Sequence, residues 1–142
     1  MIHWVDMNTR EEFNLSDYPD SFGMIYEIVY TNGFKYRGKR NFFKTVTLPR
    51  NSNRKKKEVF LREDSSWQSY SGSSKLSKGM KVKSKSILAI ADTKRALTYL
   101  EAKYLFQVDA IFNAEYLNEN INGVWYSNVF DPLKVPQRKE FR

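Results

Sequence analysis

The sequence contains no cysteine and only one histidine, His3. Without cysteine, a disulfide framework, a cysteine zinc finger and a thiol nucleophile are excluded. With a single histidine, a Ser-His-Asp triad of ordinary placement and a multi-histidine zinc site are excluded as well. Any chemistry must therefore rely on tyrosine, lysine, arginine, carboxylate, hydroxyl and amide groups.

Long hydrophobic runs are absent too. No apolar stretch approaches the roughly 20 residues that span a bilayer, and residues 1–20 are acidic where a secretory signal would be basic and apolar. These features predict a cytoplasmic protein with no membrane partner. A length of 142 residues suits one domain with a real core.

Positive charge is in excess, and it is segregated. The chain has 24 Lys+Arg and 16 Asp+Glu, a formal charge of +8. Residues 1–34 hold six acids and one base, residues 35–62 eleven bases and one acid, and residues 72–95 seven bases and one acid. Such clustering favours a nucleic-acid partner, although a solvated loop explains the isolated run 54–57 equally well.

Two strands and a tight turn are predicted near the N-terminus. Residues 22–31 are rich in β-branched and aromatic residues and alternate as a strand does. Asn32-Gly33 then predicts a type I′ hairpin turn, and residues 34–40 alternate aromatic and basic side chains. Residues 44–66 are basic and polar, and we interpret them as a loop or insertion.

Later segments predict a third strand and a long helix. Residues 84–91 are an apolar run of strand length, and Thr93 is placed as the N-cap of a helix over about 94–112, whose apolar residues recur at spacings of three and four. A short helix capped by Ser73 or Ser74 is predicted between them. The order indicates an α+β fold, a small three-stranded antiparallel sheet flanked by helices.

We divide the chain into an acidic N-terminal arm (residues 1–21), a central domain with a basic insertion at about 44–66 (residues 22–120) and a C-terminal extension (residues 121–142). Within the central domain, four sequence blocks follow one another: Gly23-Met24-Ile25-Tyr26 with Tyr36-Arg37-Gly38, residues 66–76 with the pattern Trp-x-x-Tyr-x-Gly-Ser-Ser, Glu101 on the predicted helix, and Tyr116-x-Asn118. Together these blocks resemble the GIY-YIG nuclease superfamily, and within it the phage SegE-like homing-type endonucleases.

The resemblance implies a metal-dependent DNA endonuclease that hydrolyses phosphodiester bonds, phage-encoded and of homing or accessory type. By the same resemblance, Glu101 would hold Mg²⁺ or Mn²⁺, Tyr26 would activate the attacking water and Tyr36 would position the water or the phosphate. A tyrosine with an ordinary pKa near 10 is a poor base unless cations stabilise the phenolate. Without the resemblance, Glu101 would be read as a solvated helix residue and the tyrosines as strand packing.

Further site residues are predicted, although no single arginine aligns with the arginine usual in the family and Lys39, Arg40 and Lys44 are the candidates for its place. Arg40, with Lys39 as the alternative, would offset charge in the transition state, and Asn118 would order the site or cap a helix. The predicted partner is double-stranded DNA, and cutting both strands would call for a homodimer or for sequential attack. The predicted DNA-binding residues are Arg37, Lys44, Arg54, Lys55, Lys56, Lys57, Ser73, Ser74 and Lys75.

Two residues depart from the family pattern. Met24 stands where the family usually has glycine, and Arg37 stands where an apolar residue is usual. Since neighbouring residues of a strand point to opposite faces, Arg37 is expected on the side away from Tyr36, in contact with a phosphate. These departures motivate an alternative, a non-catalytic DNA-binding or interaction module on a degenerate GIY-YIG scaffold.

Overall fold

The computed structural model describes residues 2–53, 55–72 and 74–127. Three one-turn 3₁₀ helices (Leu15–Asp17, Ser65–Trp67 and Lys75–Ser77) accompany the regular elements. These elements are, in chain order, β1 Trp4–Asp6, β2 Gly23–Tyr30, β3 Lys35–Asn41, β4 Phe43–Leu48, β5 Glu58–Glu63, β6 Val82–Ala91, α1 Lys94–Gln107, β7 Asn120–Ile121 and β8 Trp125–Tyr126.

The main sheet has four strands in the order β1-β6-β2-β3. Strand β2 is antiparallel to both β3 and β6, while β1 is parallel to β6. The α+β class is confirmed, and the three predicted antiparallel strands are present. The strand count was wrong because β1 adds a parallel strand, and the flanking helices reduce to the single α-helix α1 in the described part of the chain.

Residues before β2 contribute to the core of this sheet. Trp4 and Phe13 are both buried, and the Trp4 indole N–H donates to the Trp67 carbonyl at 2.8 Å. The first 21 residues are thus packed against the sheet in the structure. The predicted domain division itself stays a prediction, and residues 128–142 of the C-terminal extension lie outside the described residues.

The two faces of the sheet bury different clusters. On one face, Ile25 and Ala91 pack against Leu97 of α1. The opposite face carries the larger cluster, which is rich in aromatic residues. Its fully or nearly fully buried members include Trp4, Phe13, Met24, Tyr26, Ile28, Tyr30, Phe42, Trp67 and Ile87. Alternation along β2 therefore sends Ile25 towards the helix and Tyr26 away from it.

The β2–β3 hairpin is confirmed, but its turn type was wrong. Gly33 has a φ of 94°, whereas Asn32 is not among the described residues with positive φ. The Gly33 amide donates to the Tyr30 carbonyl at 2.9 Å, and the Tyr30 amide donates to the Phe34 carbonyl at 2.8 Å. This is a type I turn followed by a left-handed glycine, the usual three-residue hairpin connection.

Strands β4 and β5 form a second hairpin within the segment predicted as a loop or insertion, so the loop was wrong and the insertion stays a prediction. Strands β4 and β5 pair in antiparallel register, with Thr45 opposite Leu61 and Thr47 opposite Val59. β-branched residues in both strands favour this pairing, and the density of lysine concealed it in the sequence. The pair forms a sheet of its own, separate from the main sheet.

Helix α1 begins as predicted and ends earlier than predicted. The Thr93 hydroxyl accepts the Ala96 amide at 3.1 Å, which confirms the N-cap. At the other end, Asp109 has a φ of 51°, and the Asp109 and Ala110 amides donate to Phe106 and Leu105. This Schellman motif ends the helix at Gln107, although apolar residues continue to position 112.

The short helix predicted after Ser73 or Ser74 is the one-turn 3₁₀ helix Lys75–Ser77, whose N-cap is Ser74. In the part of the chain that the structure describes, no helix has the length and apolar character needed to cross a bilayer.

Gly38 provides a test of the packing between β2 and β3. A methyl group at this position would lie 2.6 Å from the Tyr26 hydroxyl oxygen and 2.9 Å from its Cζ, and Tyr26 is 1% exposed. Gly38→Ala should lower the free energy of unfolding by about 1–3 kcal/mol, the usual cost of overpacking. Urea denaturation measures it, with exposed Asn41→Ala as the control. Tyr26→Phe removes the clashing oxygen, so the double variant Gly38→Ala/Tyr26→Phe should lose less stability than the two single variants together. A loss equal to their sum would contradict this explanation.

Candidate active site

A cavity of about 420 Å³ lies between β3, α1 and the segment 118–123. It brings together four residues that the sequence singled out for catalysis or metal binding: Tyr36, Lys39, Glu101 and Asn118. Thr98, Leu105, Glu119, Asn120, Asn122, Gly123 and the predicted DNA-binding residue Arg37 complete its lining.

Glu101 is the carboxylate on the helix side of this cavity. Burial raises the pKa of Glu101, while the Lys39 charge and a hydrogen bond from the Lys39 backbone lower it in part. The Lys39 ammonium also donates to the Thr98 hydroxyl at 3.3 Å. Lys39 is thereby held against α1, one turn from Glu101.

The exposed edge of β3 is covered residue by residue. The Lys35 amide donates to the Glu115 carbonyl, and the Leu117 amide donates to the Lys35 carbonyl, both at 2.8 Å. The Asn118 amide side chain accepts the Arg37 N–H at 3.1 Å and donates to the Arg37 carbonyl at 2.7 Å. Asn118 thus acts as a strand partner, a geometry that suits its predicted ordering role.

Tyr26 lies on the opposite face of the sheet, under Gly38. Its hydroxyl donates to the Tyr70 hydroxyl at 3.3 Å, and its ring contacts those of Trp4, Tyr36 and Tyr70. Burial, followed by the influence of Tyr70, raises the pKa of Tyr26 well above its ordinary value. The shift is opposite to the one that a general base requires, so Tyr26 is a protonated phenol at neutral pH.

Tyr36 is the tyrosine of the hairpin that reaches the cavity. It is half-buried, and its ring centroid lies 6.2 Å from that of Tyr26. Gly72 lies close to Tyr30 and Tyr36. A methyl group at this position would be 3.2 Å from the Tyr30 hydroxyl and 3.7 Å from the Tyr36 ring. The loop after Trp67 therefore supports the position of Tyr36.

Arg37 is bound within the protein, contrary to the predicted phosphate contact. Its guanidinium pairs with Glu27 at 3.0 Å, and both side chains are nearly buried, at 13% and 10% exposure. It also donates to the Tyr104 carbonyl at 2.9 Å. Arg37 does point away from Tyr36 as expected, but the opposite face is covered by α1 and Tyr116, so the cation is used to hold the helix.

Arg40 and Lys39 lie on different faces of β3. Arg40 stacks over the Tyr70 ring at 4.4 Å and donates to the Ser66 hydroxyl at 2.6 Å. It is not among the described residues that line the Glu101 cavity, whereas Lys39 is. The geometry favours Lys39, the second choice from the sequence, as the cation beside Glu101.

Lys85 is a residue that sequence reasoning missed. It is 2% exposed, and its ammonium donates to the carbonyls of Gln68 and Tyr70 at 3.0 and 2.8 Å. Its pKa is lowered by burial. Lys85 fixes the loop that presents Tyr70 to Tyr26 and Arg40. The available sequence signal was that Lys85 is the only charged residue of the predicted strand 84–91.

The predicted DNA-binding residues are dispersed. Lys44 lines a second cavity of about 480 Å³ between β3 and the β4–β5 hairpin. Lys55, Lys56 and Lys57 are exposed between β4 and β5, and Lys75 is exposed in its 3₁₀ helix. Ser74 caps that helix by accepting the Leu76 amide. Arg54 and Ser73 lie outside the described residues.

Comparison with known families agrees with this arrangement. The family model SegE_GIY-YIG, described as "Putative endonuclease segE, GIY-YIG domain", matches residues 4–121, which includes β1, the tyrosine hairpin, α1 and Asn118. The chain belongs to the GIY-YIG family. Neither the curated proteins nor the solved structures include a match to it.

The GIY-YIG family is a family of endonucleases, which are hydrolases. A nuclease family implies DNA as the substrate. The match begins at Trp4, the first residue of β1, so the family domain includes residues that the sequence analysis placed in an arm. An endonuclease family does not favour the alternative of a non-catalytic module.

The oxygen atoms that residues of the Glu101 cavity offer can be compared with the ligands that a metal ion needs. In the described parts of the chain, no three His, Cys, Asp or Glu side chains converge into a metal cluster. The cavity offers one partly buried carboxylate, Glu101, and its lining also includes Asn122 and Asn120, whose amide oxygen accepts the Gly123 amide at 3.0 Å. All are hard oxygen donors, and Mg²⁺ usually takes one or two carboxylates with water and substrate phosphate. The residues present therefore fit Mg²⁺ or Mn²⁺.

The Arg37–Glu27 pair leads to a stability prediction. Arg37→Ala should lower the free energy of unfolding by about 3–5 kcal/mol because it leaves a buried carboxylate without its partner. The double variant Glu27→Gln/Arg37→Met should lose much less. Urea denaturation compares them with Lys35→Ala, whose partner Glu115 is largely exposed and whose loss should stay within about 1 kcal/mol. Equal losses for the two pairs would contradict a buried role for Arg37.

The raised pKa of Glu101 leads to a pH prediction. A carboxyl group with a raised pKa stabilises the fold only while protonated, and that contribution is lost as the pH rises through the folded-state pKa. Glu101→Gln should therefore gain stability relative to the native chain as the pH rises above the ordinary value of 4.5. Urea denaturation from pH 4 to pH 8 measures the difference, with exposed Glu119→Gln as the control. A difference that does not change with pH would contradict it.

Proposed function

We propose that this protein is a metal-dependent endonuclease that hydrolyses phosphodiester bonds of double-stranded DNA. The observation that carries the proposal is the convergence of Tyr36, Lys39 and Glu101 on one cavity in a chain of the GIY-YIG family. We further propose that it is phage-encoded, of homing or accessory type, and works in the host cytoplasm. Cutting of both strands would be done by a homodimer or by successive attacks.

Each residue has a distinct task in this proposal. Glu101 would hold Mg²⁺ or Mn²⁺, which supplies charge stabilisation at the phosphoryl oxygens and at the leaving oxygen. The Lys39 ammonium attracts the phosphate and offsets negative charge that develops in the transition state. Tyr36, which is part of the cavity lining on β3, orients the attacking water.

Tyr26, Tyr70 and Arg40 act from the other face. Since burial keeps Tyr26 protonated, its hydroxyl donates a hydrogen bond to Tyr70 instead of taking a proton from water. Arg40 fixes the Tyr70 ring by stacking on it. The three residues support the position of Tyr36, while Asn118 fixes the backbone of β3 between Tyr36 and Lys39.

Plasmid nicking tests the proposal. Supercoiled plasmid is incubated with Mg²⁺ or Mn²⁺ and the native chain, Glu101→Ala, Lys39→Ala or Tyr36→Phe. The native chain should nick, and Glu101→Ala and Lys39→Ala should each lose about 10²–10³-fold, as is usual for the removal of a transition-state stabiliser. Tyr36→Phe should lose more activity than Tyr26→Phe.

Glu119→Ala is the matched control, because it removes an exposed carboxylate from the same cavity. It should nick at nearly the native rate. Nicking that survives Glu101→Ala would contradict the assignment of the site. Tight DNA binding by the native chain without nicking would instead indicate the non-catalytic module.

A further inference from the structure

The β4–β5 hairpin is an isolated ribbon with an unusual surface. All residues of β5 are exposed, and three consecutive apolar residues, Val59, Phe60 and Leu61, are 64%, 44% and 60% exposed. Two strands without further support are marginally stable in water. An exposed apolar cluster on such a ribbon indicates a surface that is covered when the protein works.

The register of the hairpin divides its side chains between two faces. Thr45 is opposite Leu61 and Thr47 is opposite Val59, so these four residues share one face, which we call the threonine face. Thr45 and Leu61 form part of the wall of the 480 Å³ cavity. The threonine face therefore looks into that cavity and continues beyond it along the ribbon.

This cavity adjoins the site that contains Glu101. Lys39 lines both cavities. A single residue, Phe42, connects β3 to β4, so the hairpin follows directly after the strand that carries Lys39. Arg40, Lys44 and Asp64 lie beside the second cavity together with Phe43. A DNA strand with a phosphate at Lys39 would thus pass directly beneath the hairpin.

The charge of the hairpin identifies the class of partner. Residues 43–63 contain seven Lys or Arg and two Glu, and Lys55, Lys56 and Lys57 are exposed where β4 connects to β5. An apolar protein surface would not require this excess. A polyphosphate backbone does, because each neutralised phosphate contributes to affinity without regard to sequence.

The dimensions also suit duplex DNA. A strand of six residues extends about 20 Å, and a two-stranded ribbon fits a major groove about 12 Å wide. Threonine hydroxyls can bond base edges, while the methyl groups of threonine, valine and leucine can contact the thymine methyl group. Val59 and Leu61, the exposed apolar residues of the threonine face, then have a partner.

We propose that the β4–β5 hairpin enters the major groove of duplex DNA beside the scissile phosphate and that its threonine face selects the sequence. This inference rests on the proposed function, since it places the ribbon relative to the Glu101 cavity. In this arrangement Lys55, Lys56 and Lys57 bind the backbone across the groove. Thr47 and Val59, which extend beyond the cavity, contact the bases.

The test uses selection from a randomised duplex library in metal-free buffer, so that binding is measured apart from cutting. The full chain is compared with Val59→Ser/Leu61→Ser, with Lys55→Glu/Lys56→Glu/Lys57→Glu and with Tyr99→Ser. Tyr99 is an apolar residue on α1 that is 68% exposed, and it serves as the matched control. Urea denaturation verifies that each variant is folded.

The native chain should enrich one sequence. Val59→Ser/Leu61→Ser should lower that enrichment at least about fivefold, the lower range for a lost base contact, while it retains affinity for unselected DNA. The triple lysine variant should lose affinity for all sequences and show a weaker dependence on salt. Tyr99→Ser should behave as the native chain does.

Several results would overturn the inference. These are enrichment unaffected by Val59→Ser/Leu61→Ser, no enrichment by the native chain, or no binding of DNA. Light scattering can give a fourth result that would overturn it. A hairpin variant that changes the oligomeric state but not the DNA preference would assign this surface to contact with a second copy of the chain.

Plasmid nicking separates this inference from the proposed function. If the native chain nicks and its preference does not depend on the hairpin, the inference fails alone. If it does not nick but selects DNA through the hairpin, the nuclease proposal fails and with it the placement beside a scissile phosphate, while the threonine face remains the surface that selects the sequence.

Discussion

The open edge of β3 is the constraint on which the site depends. An edge strand presents backbone N–H and C=O groups without sheet partners, and such groups need other partners when they are covered. Here the partners are the main chain of residues 115–117, the Asn118 amide and the Glu101 carboxylate. Because these groups satisfy the strand that carries Tyr36 and Lys39, hydrogen bonds to that strand bring the candidate residues around one cavity.

Buried charge fixes what the sheet alone does not hold. On the helix face, Arg37 joins Glu27 to the Tyr104 carbonyl at the end of α1. On the opposite face, Lys85 holds the carbonyls of Gln68 and Tyr70. A buried cation is costly unless its donors are satisfied, so Arg37 strongly constrains the position of α1 and Lys85 that of the loop containing Gln68 and Tyr70. The two cations, which the net charge counts with the rest, are structural.

Local features of the sequence predicted local structure well and distant contacts poorly. The β2–β3 hairpin and the Thr93 cap depend on neighbouring residues, whereas the pairing of β1 with β6 and the burial of Arg37 depend on residues far along the chain. Asn-Gly occurs twice: Asn122-Gly123 has positive φ at both positions, while only the glycine of Asn32-Gly33 does. The flanking strands decide between these turns. Motif order selected Tyr36, Glu101 and Asn118, which the structure brings to one cavity, but it did not predict the protonation of Tyr26, which burial decides.

Strand β1 has a consequence for biosynthesis. Trp4 pairs with Lys85, so β1 cannot complete its pairing until β6, much later in the chain, has left the ribosome. The β2–β3 hairpin and the β4–β5 ribbon, whose partners are close in sequence, can form meanwhile. Until β6 emerges, β1 lacks the strand with which it pairs. The nascent chain therefore displays its basic ribbon before its core is closed, and completion of the fold is the event that removes the Trp4 indole from water.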